Sequence, residues 1–176
     1  LYAENPSSPT APSATGSNAV AIGNAVVASG QDSFSLGAST TASAIGAFAL
    51  GRGSTASGND SFAFGSNALA SNTNALAIGT NTDATQNSSI AIGNGAQATS
   101  AYSFAVGRNS GGGSAVATTG LAATALGGSY ASGTDSFAAA IANNTSSYGA
   151  TGSNSVAIGL RAKASIAYGT AIGGQD

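Results

Sequence analysis

NALAIGTNTDATQNSSIAIG, residues 74–93, holds one phrase twice. Ala75-Leu76-Ala77-Ile78-Gly79 returns as Ser89-Ile90-Ala91-Ile92-Gly93 after fourteen residues, with small and large side chains alternating and glycine closing each copy. The closing glycine carries the phrase along the chain: Gly23, Gly37, Gly51, Gly65, Gly79, Gly93 and Gly107 stand fourteen residues apart. Twenty residues on, with about six inserted, Ala123-Thr124-Ala125-Leu126-Gly127 resumes it. A degraded copy, Ser136-Phe137-Ala138-Ala139-Ala140, has alanine in place of one large residue and of the glycine. Ser155-Val156-Ala157-Ile158-Gly159 and Gly169-Thr170-Ala171-Ile172-Gly173 then restore the pattern.

Alternation with period two, carried by β-branched and aromatic residues such as Phe34/Leu36 and Ile90/Ile92, predicts a strand in each phrase. A small residue recurs about five positions after each glycine, at Ala28, Ala42, Ala56, Ala70, Ala84, Ala98 and Ala164, and marks a second, shorter strand. Self-similarity at a fixed period is the signature of a solenoid, and fourteen residues are too few for a helical hairpin repeat. The expected fold is therefore all-β, a parallel β-roll of about eleven fourteen-residue coils. At a strand spacing of ~4.8 Å such a rod is roughly 50 Å long. Glycine at each strand end fits a turn that needs positive φ or close backbone approach.

Each phrase has two unlike faces, one of large apolar residues and one of Ala and Ser. The large face is expected to fill the interior of the roll, leaving the Ala/Ser face as a surface that another copy approaches closely; the opposite assignment, with large residues at the subunit contact, stays open. Two large side chains per coil are a thin core for a single chain, so an oligomer closed by cyclic symmetry is expected. Composition does not distinguish a dimer from a trimer.

The composition narrows the function classes. Only 6% of the 176 residues are charged, the net charge is −2 and the 42% hydrophobic fraction is mostly alanine, which places the chain outside the highly charged disordered class. Cysteine and histidine are absent, so thiol, imidazole and thiolate-metal chemistry are missing, and no metal or cofactor is expected. The few carboxylates are scattered along the rod, without the convergent pair that acid–base hydrolysis requires, and the chain is expected not to be an enzyme. Four basic residues, Arg52, Arg108, Arg161 and Lys163, make no footprint for nucleic acid. No apolar run approaches the length of a membrane span, so no membrane contact by this segment is expected.

Asn154-Ser155-Val156-Ala157-Ile158-Gly159, with variants such as Asn18-Ala19-Val20-Ala21-Ile22-Gly23 and Asn74-Ala75-Leu76-Ala77-Ile78-Gly79, resembles the repeat motif of the YadA-like head domain of trimeric autotransporter adhesins. The resemblance covers roughly residues 17–174. It implies a left-handed parallel β-roll, three of which stand side by side as a homotrimer. It implies a head at the tip of a Gram-negative surface fibre, anchored in the outer membrane through other parts of the protein, that binds extracellular-matrix proteins such as collagen or a cell-surface receptor or glycan. Similar repeats occur in bacteriophage tail fibres, and a receptor-binding or structural head on a virion is the alternative. The motif residues carry over as scaffold: Val156 and Ile158 as packing, Ser155 and Ala157 as small positions, Gly159 as the turn. By the same position, Gly23, Gly37, Gly51, Gly65, Gly79, Gly93, Gly107, Gly127 and Gly173 are structural.

Residues 1–16, with Asn5-Pro6-Ser7-Ser8-Pro9-Thr10-Ala11-Pro12, read as an extended linker, and 17–176 as the roll, with irregular loops near 108–122 and 141–152. Interruptions in solenoids are usually exposed loops, where binding tends to be placed. Asn109, Ser110, Thr118 and Thr119 in the first and Asn143, Asn144 and Tyr148 in the second are the candidate ligand contacts. Asp32, Asp60 and Asp135 share a register and read as turn residues bonding their own backbone rather than as a calcium ladder, which would need an acid in nearly every coil. Arg52 and Arg108 read as solvated charges that discourage edge association. An ice-type surface would need threonine at one fixed position in successive coils, and the exposed positions read as a mixture of Asn, Ser, Thr, Gln and Arg. The glycosylation pattern at Asn87-Ser88-Ser89 and Asn143-Asn144-Thr145 carries little weight in a chain so rich in Asn and Ser.

Overall fold

The computed structural model describes residues 10–108, 117–140 and 147–173. Within them the chain winds through two parallel sheets of eleven strands each, odd-numbered strands in one and even-numbered strands in the other, which makes about ten complete turns. One sheet holds two-residue strands, from Ser13–Ala14 through Val27–Ala28 and Asp83–Ala84 to Lys163–Ala164. The other holds strands of three to five residues, from Val20–Asn24 through Leu76–Ile78 to Thr170–Ile172. Every repeated phrase forms a strand of the long-strand sheet, and the recurrent alanines close the strands of the short-strand sheet. The first of these, Ser13–Ala14, pairs with Val27–Ala28, so the roll begins inside the segment expected to be linker.

Pairing is in register from coil to coil. Leu76, Ala77 and Ile78 lie beside Phe62, Ala63 and Phe64 on one side and Ile90, Ala91 and Ile92 on the other. The corners are stacked as well: Asn74 N–H donates to Asn59 O at 2.9 Å and Asn81 N–H to Ser66 O at 2.9 Å, each a carbonyl of the preceding coil. Backbone donors that a single corner would leave unpaired are thus satisfied by its neighbour. Two positions per coil take left-handed φ, for instance Asn74 at 56° and Asn81 at 52°, which is why Asn, Asp, Gly and Ser gather there.

The phrase-ending glycines also stack, at positive φ. At Gly79 φ is 134°, and a Cβ would stand 2.6 Å from the carbonyl oxygen of Gly93 in the next coil. Both reasons for glycine, the dihedral and the close approach, therefore hold at one residue. The degraded copy escapes both. Ala140 is not at positive φ, whereas Gly127 before it, thirteen residues away, keeps φ 75° and a close approach in which a Cβ would clash with Ala140 O.

The face assignment is corrected. The interior of the roll is filled by small side chains: Ala49, Ala63, Ala77, Ala91 and Ala105 from the long strands and Ala42, Ala56, Ala70, Ala84 and Ala98 from the short ones are all fully buried. Among the described residues the largest fully buried side chain is Val26, followed by threonines. The large residues of the phrase point outward, half-buried or exposed. Tight corners hold the two sheets so close that only small side chains, none larger than valine among the described residues, are fully buried between them. Some of the hydroxyls span the gap; Ser129 Oγ donates to Leu126 O at 2.8 Å and lies 2.9 Å from Ala138 O in the opposite sheet.

Candidate interaction surfaces

Three surfaces run the length of the rod. On the outer face of the long-strand sheet the large residues form two columns. Phe34, Phe48 and Phe62 stack with ring centroids 4.8 and 4.7 Å apart and planes within 9° and 4° of parallel, a spacing imposed by the strands beneath them. Phe64 of the second column meets Phe62 edge-on at 6.5 Å and is 45% exposed. The second column continues through Ile78, Ile92, Val106 and Leu126, is interrupted at Ala139, and resumes at Ile158. Its length of roughly 50 Å and width of about 10 Å make an apolar stripe on the order of 500 Å², as large as the largest patches that monomers leave in water.

The outer face of the short-strand sheet has the opposite character. The residue after each short strand is serine or threonine in every described coil, from Thr15, Ser29 and Ser43 to Thr151 and Ser165. The exposed positions read from the sequence as a mixture thus include one uniform hydroxyl column, legible by laying the fourteen-residue register out in rows. Its hydroxyls are partly engaged within the sheet: Ser71 Oγ donates to Thr85 O at 3.5 Å and Thr99 Oγ1 to Thr118 O at 3.2 Å. Serine and threonine are mixed in this column, so it lacks the constant threonine that an ice-type surface would need.

Along the turns the side chains form ladders. Asp32, Asp60 and Asp135 sit at the left-handed corner position, with φ of 55°, 53° and 54°. The Asp32 carboxylate accepts from Asn18 Nδ2 of the preceding coil at 2.8 Å and from Gln31 Nε2 at 3.1 Å, so it ties one coil to the next rather than to its own backbone. Asn67 Nδ2 donates in the same way to Asn81 Oδ1 at 3.2 Å. No cluster of three or more metal-ligating side chains occurs among the described residues. Arg52, which closes the long strand Phe48–Arg52, and Arg108, two residues after the strand Phe104–Val106, are both exposed.

Of the seven candidate contact residues, the structure describes Thr118, Thr119 and Tyr148. Asn109, Ser110, Asn143 and Asn144 lie outside the described residues. Thr118 does not stand in a loop: it closes the short strand Ala117–Thr118, pairs with Ala98 and is fully buried, its hydroxyl donating to Gln97 O at 3.4 Å. As a ligand contact it is corrected to an interior residue that occupies an alanine position of the repeat. Thr119, next to it, is exposed, and its hydroxyl lies 3.3 Å from that of Tyr130, a residue not singled out from the sequence. Tyr148 is half-buried. An aromatic at the outward position of a short strand, as Tyr130 is in Tyr130–Ala131, was the available signal.

Comparison with known proteins agrees with this geometry. No curated protein matches the chain. The family model for a pair of YadA head domain repeats matches residues 28–54, 56–82, 84–110 and 150–175. These matches cover most of the roll and fall on coils whose register and corners are described above, and the chain belongs to the YadA head domain repeat family.

Proposed function

We propose that this chain is the head of a trimeric surface adhesin: three copies pack side by side through the outward face of the long-strand sheet and present the rest of the roll to a host matrix protein or cell-surface receptor. The role is non-enzymatic and extracellular, at the outer surface of a bacterial cell. The observation that supports it is the division of side chains between the faces. A roll whose interior is filled almost wholly by alanine, serine and threonine has its bulk on the outside, and an apolar stripe that runs along the rod has the shape of an interface between parallel copies. With that stripe covered, the hydroxyl column, the Asn/Asp ladders and the exposed Thr119 remain outward in three copies. Weak contacts repeated in this way gain strength by avidity, with no deep pocket.

The test is the solution mass of the 16.4 kDa chain, followed by binding to immobilised matrix proteins and glycans. A mass of three chains with saturable binding supports the reading. A folded monomer would sink it, because the apolar stripe would then be stable in water.

A further inference from the structure

The first outward column of large residues is broken by Thr124 and Thr170, and the second by Ala139 alone. Ala139 stands where the flanking strands carry Leu126 and Ile158, and Ala140, beside it, stands where they carry Gly127 and Gly159. The spacing changes at the same place, thirteen residues before Ala139 and nineteen after it. An open depression of about 350 Å³ lies at this place on the long-strand sheet, lined by Leu126, Gly127, Ala139, Ala140, Ile158 and Gly159. None of these six has a hydroxyl, amide or charged side chain. The neighbouring backbone is already engaged, since Gly159 N–H donates to Ala139 O at 2.8 Å and Gly128 N–H to Ala140 O at 3.0 Å. In the single roll the depression is open to water; once covered, it would offer a water molecule few polar partners, and enclosed apolar cavities stay dry and admit small hydrophobic molecules.

We propose that the three depressions close on one another in the assembled head to form one apolar chamber, which takes a small uncharged hydrophobic molecule. The proposal rests on the trimer reading. A threefold axis parallel to the rod sets residue 139 of every copy at one height, so gap faces gap. No copy can fill its neighbour's gap with a large residue from another coil without sliding by a strand spacing of ~4.8 Å and losing the match of all the other coils. Leu126 and Ile158 of the three chains then form the two ends of the chamber, and the Ala139 methyls its wall. A ligand there touches all three copies at once, so its binding stabilises the assembly and not the single roll.

The experiment uses the full 176-residue chain. Its mass is measured by light scattering, and its thermal midpoint is followed as benzene or xenon is added, beside Ala139→Leu and Leu126→Ala. A trimer whose midpoint climbs with probe concentration is expected. Ala139→Leu refills the column and should start from a higher midpoint with no further rise, and Leu126→Ala should start lower and climb more steeply. The xenon resonance should show a bound environment in the wild-type trimer that Ala139→Leu removes. A wild-type trimer that responds to probe no more than Ala139→Leu does would overturn the chamber and leave the trimer standing. Loss of the trimer in Ala139→Leu would also overturn it, since the gap would then be a socket for a partner's side chain. A monomer would overturn the trimer reading and the chamber with it.

Discussion

Replacing Ile78 by lysine separates the contribution of the outward face to the single roll from its contribution to assembly. Ile78 stands in the middle of the rod between Phe64 and Ile92 and is half-buried in the single chain. In one roll a lysine there lays its stem along the neighbouring side chains and keeps its ammonium in water, at a cost within about 1 kcal/mol. Inside a three-copy interface it has no such exit. The apolar burial lost is about 1 kcal/mol per copy, roughly half that of a fully buried isoleucine. Desolvation of an unpaired ammonium adds several kcal/mol per copy. With three copies the loss is on the order of 10 kcal/mol, or about seven decades in the association constant. Light scattering reads the mass and far-ultraviolet circular dichroism the strand content. The expected result is a β-rich species of one chain's mass. A variant that keeps the mass of three chains and the wild-type midpoint would refute the argument, because the face would then have to be open to water.

Gly79→Ala combines a φ of 134° with a methyl directed at the Gly93 carbonyl; backbone strain alone costs about 1–3 kcal/mol per chain, and a calorimetric midpoint unchanged from wild type would show that the corners can shift apart. Ala77→Leu places a bulky side chain in an interior where Ala77 is fully buried, and overpacking should cost about 3 kcal/mol or more; chemical denaturation at constant m-value measures it. Phe48→Ala removes a ring stacked on both sides and should cost about 2–3 kcal/mol per chain, less than a fully buried phenylalanine. Asp32→Ala breaks the exposed ladder to Asn18 and puts alanine at φ 55°, and should cost about 1–2 kcal/mol, most of it backbone strain; a larger loss in chemical denaturation would mean that the turn ladders carry part of the fold.

The repeat was legible in the sequence because a solenoid makes every coil solve the same problem. Gly79 and Gly93 must both let the next backbone approach, so glycine recurs at that place; Asn74 and Asn81 both turn left-handed corners, so short polar residues recur there. The sites were less legible. Thr118 reads as a loop residue next to an insertion, yet it occupies an interior alanine position, because the strand Ala117–Thr118 resumes pairing with Gln97–Ala98 across the inserted residues. The hydroxyl column from Thr15 to Ser165 is present in the sequence but spread across the chain at intervals, and it appears as a surface only when the coils are stacked. The gap at Ala139 was visible as a degraded copy. That it is a depression, and not a place where a neighbour leans in, depends on Leu126 and Ile158 lying to either side at strand spacing.

The amino-acid sequence by itself determined the period, the strand positions and the corner residues, since these follow from local dihedrals and from alternation within a few residues. It did not determine which face turns inward. Period two says that two faces differ, and burial of the larger residues is the ordinary choice for a chain that folds alone. That choice was decided by the tertiary structure: the two sheets are joined by tight corners, and the side chains fully buried between them are small, with Ala77 inside and Leu76 on the outer face. The bulky side chains are therefore left on the outside, where another copy can bury them.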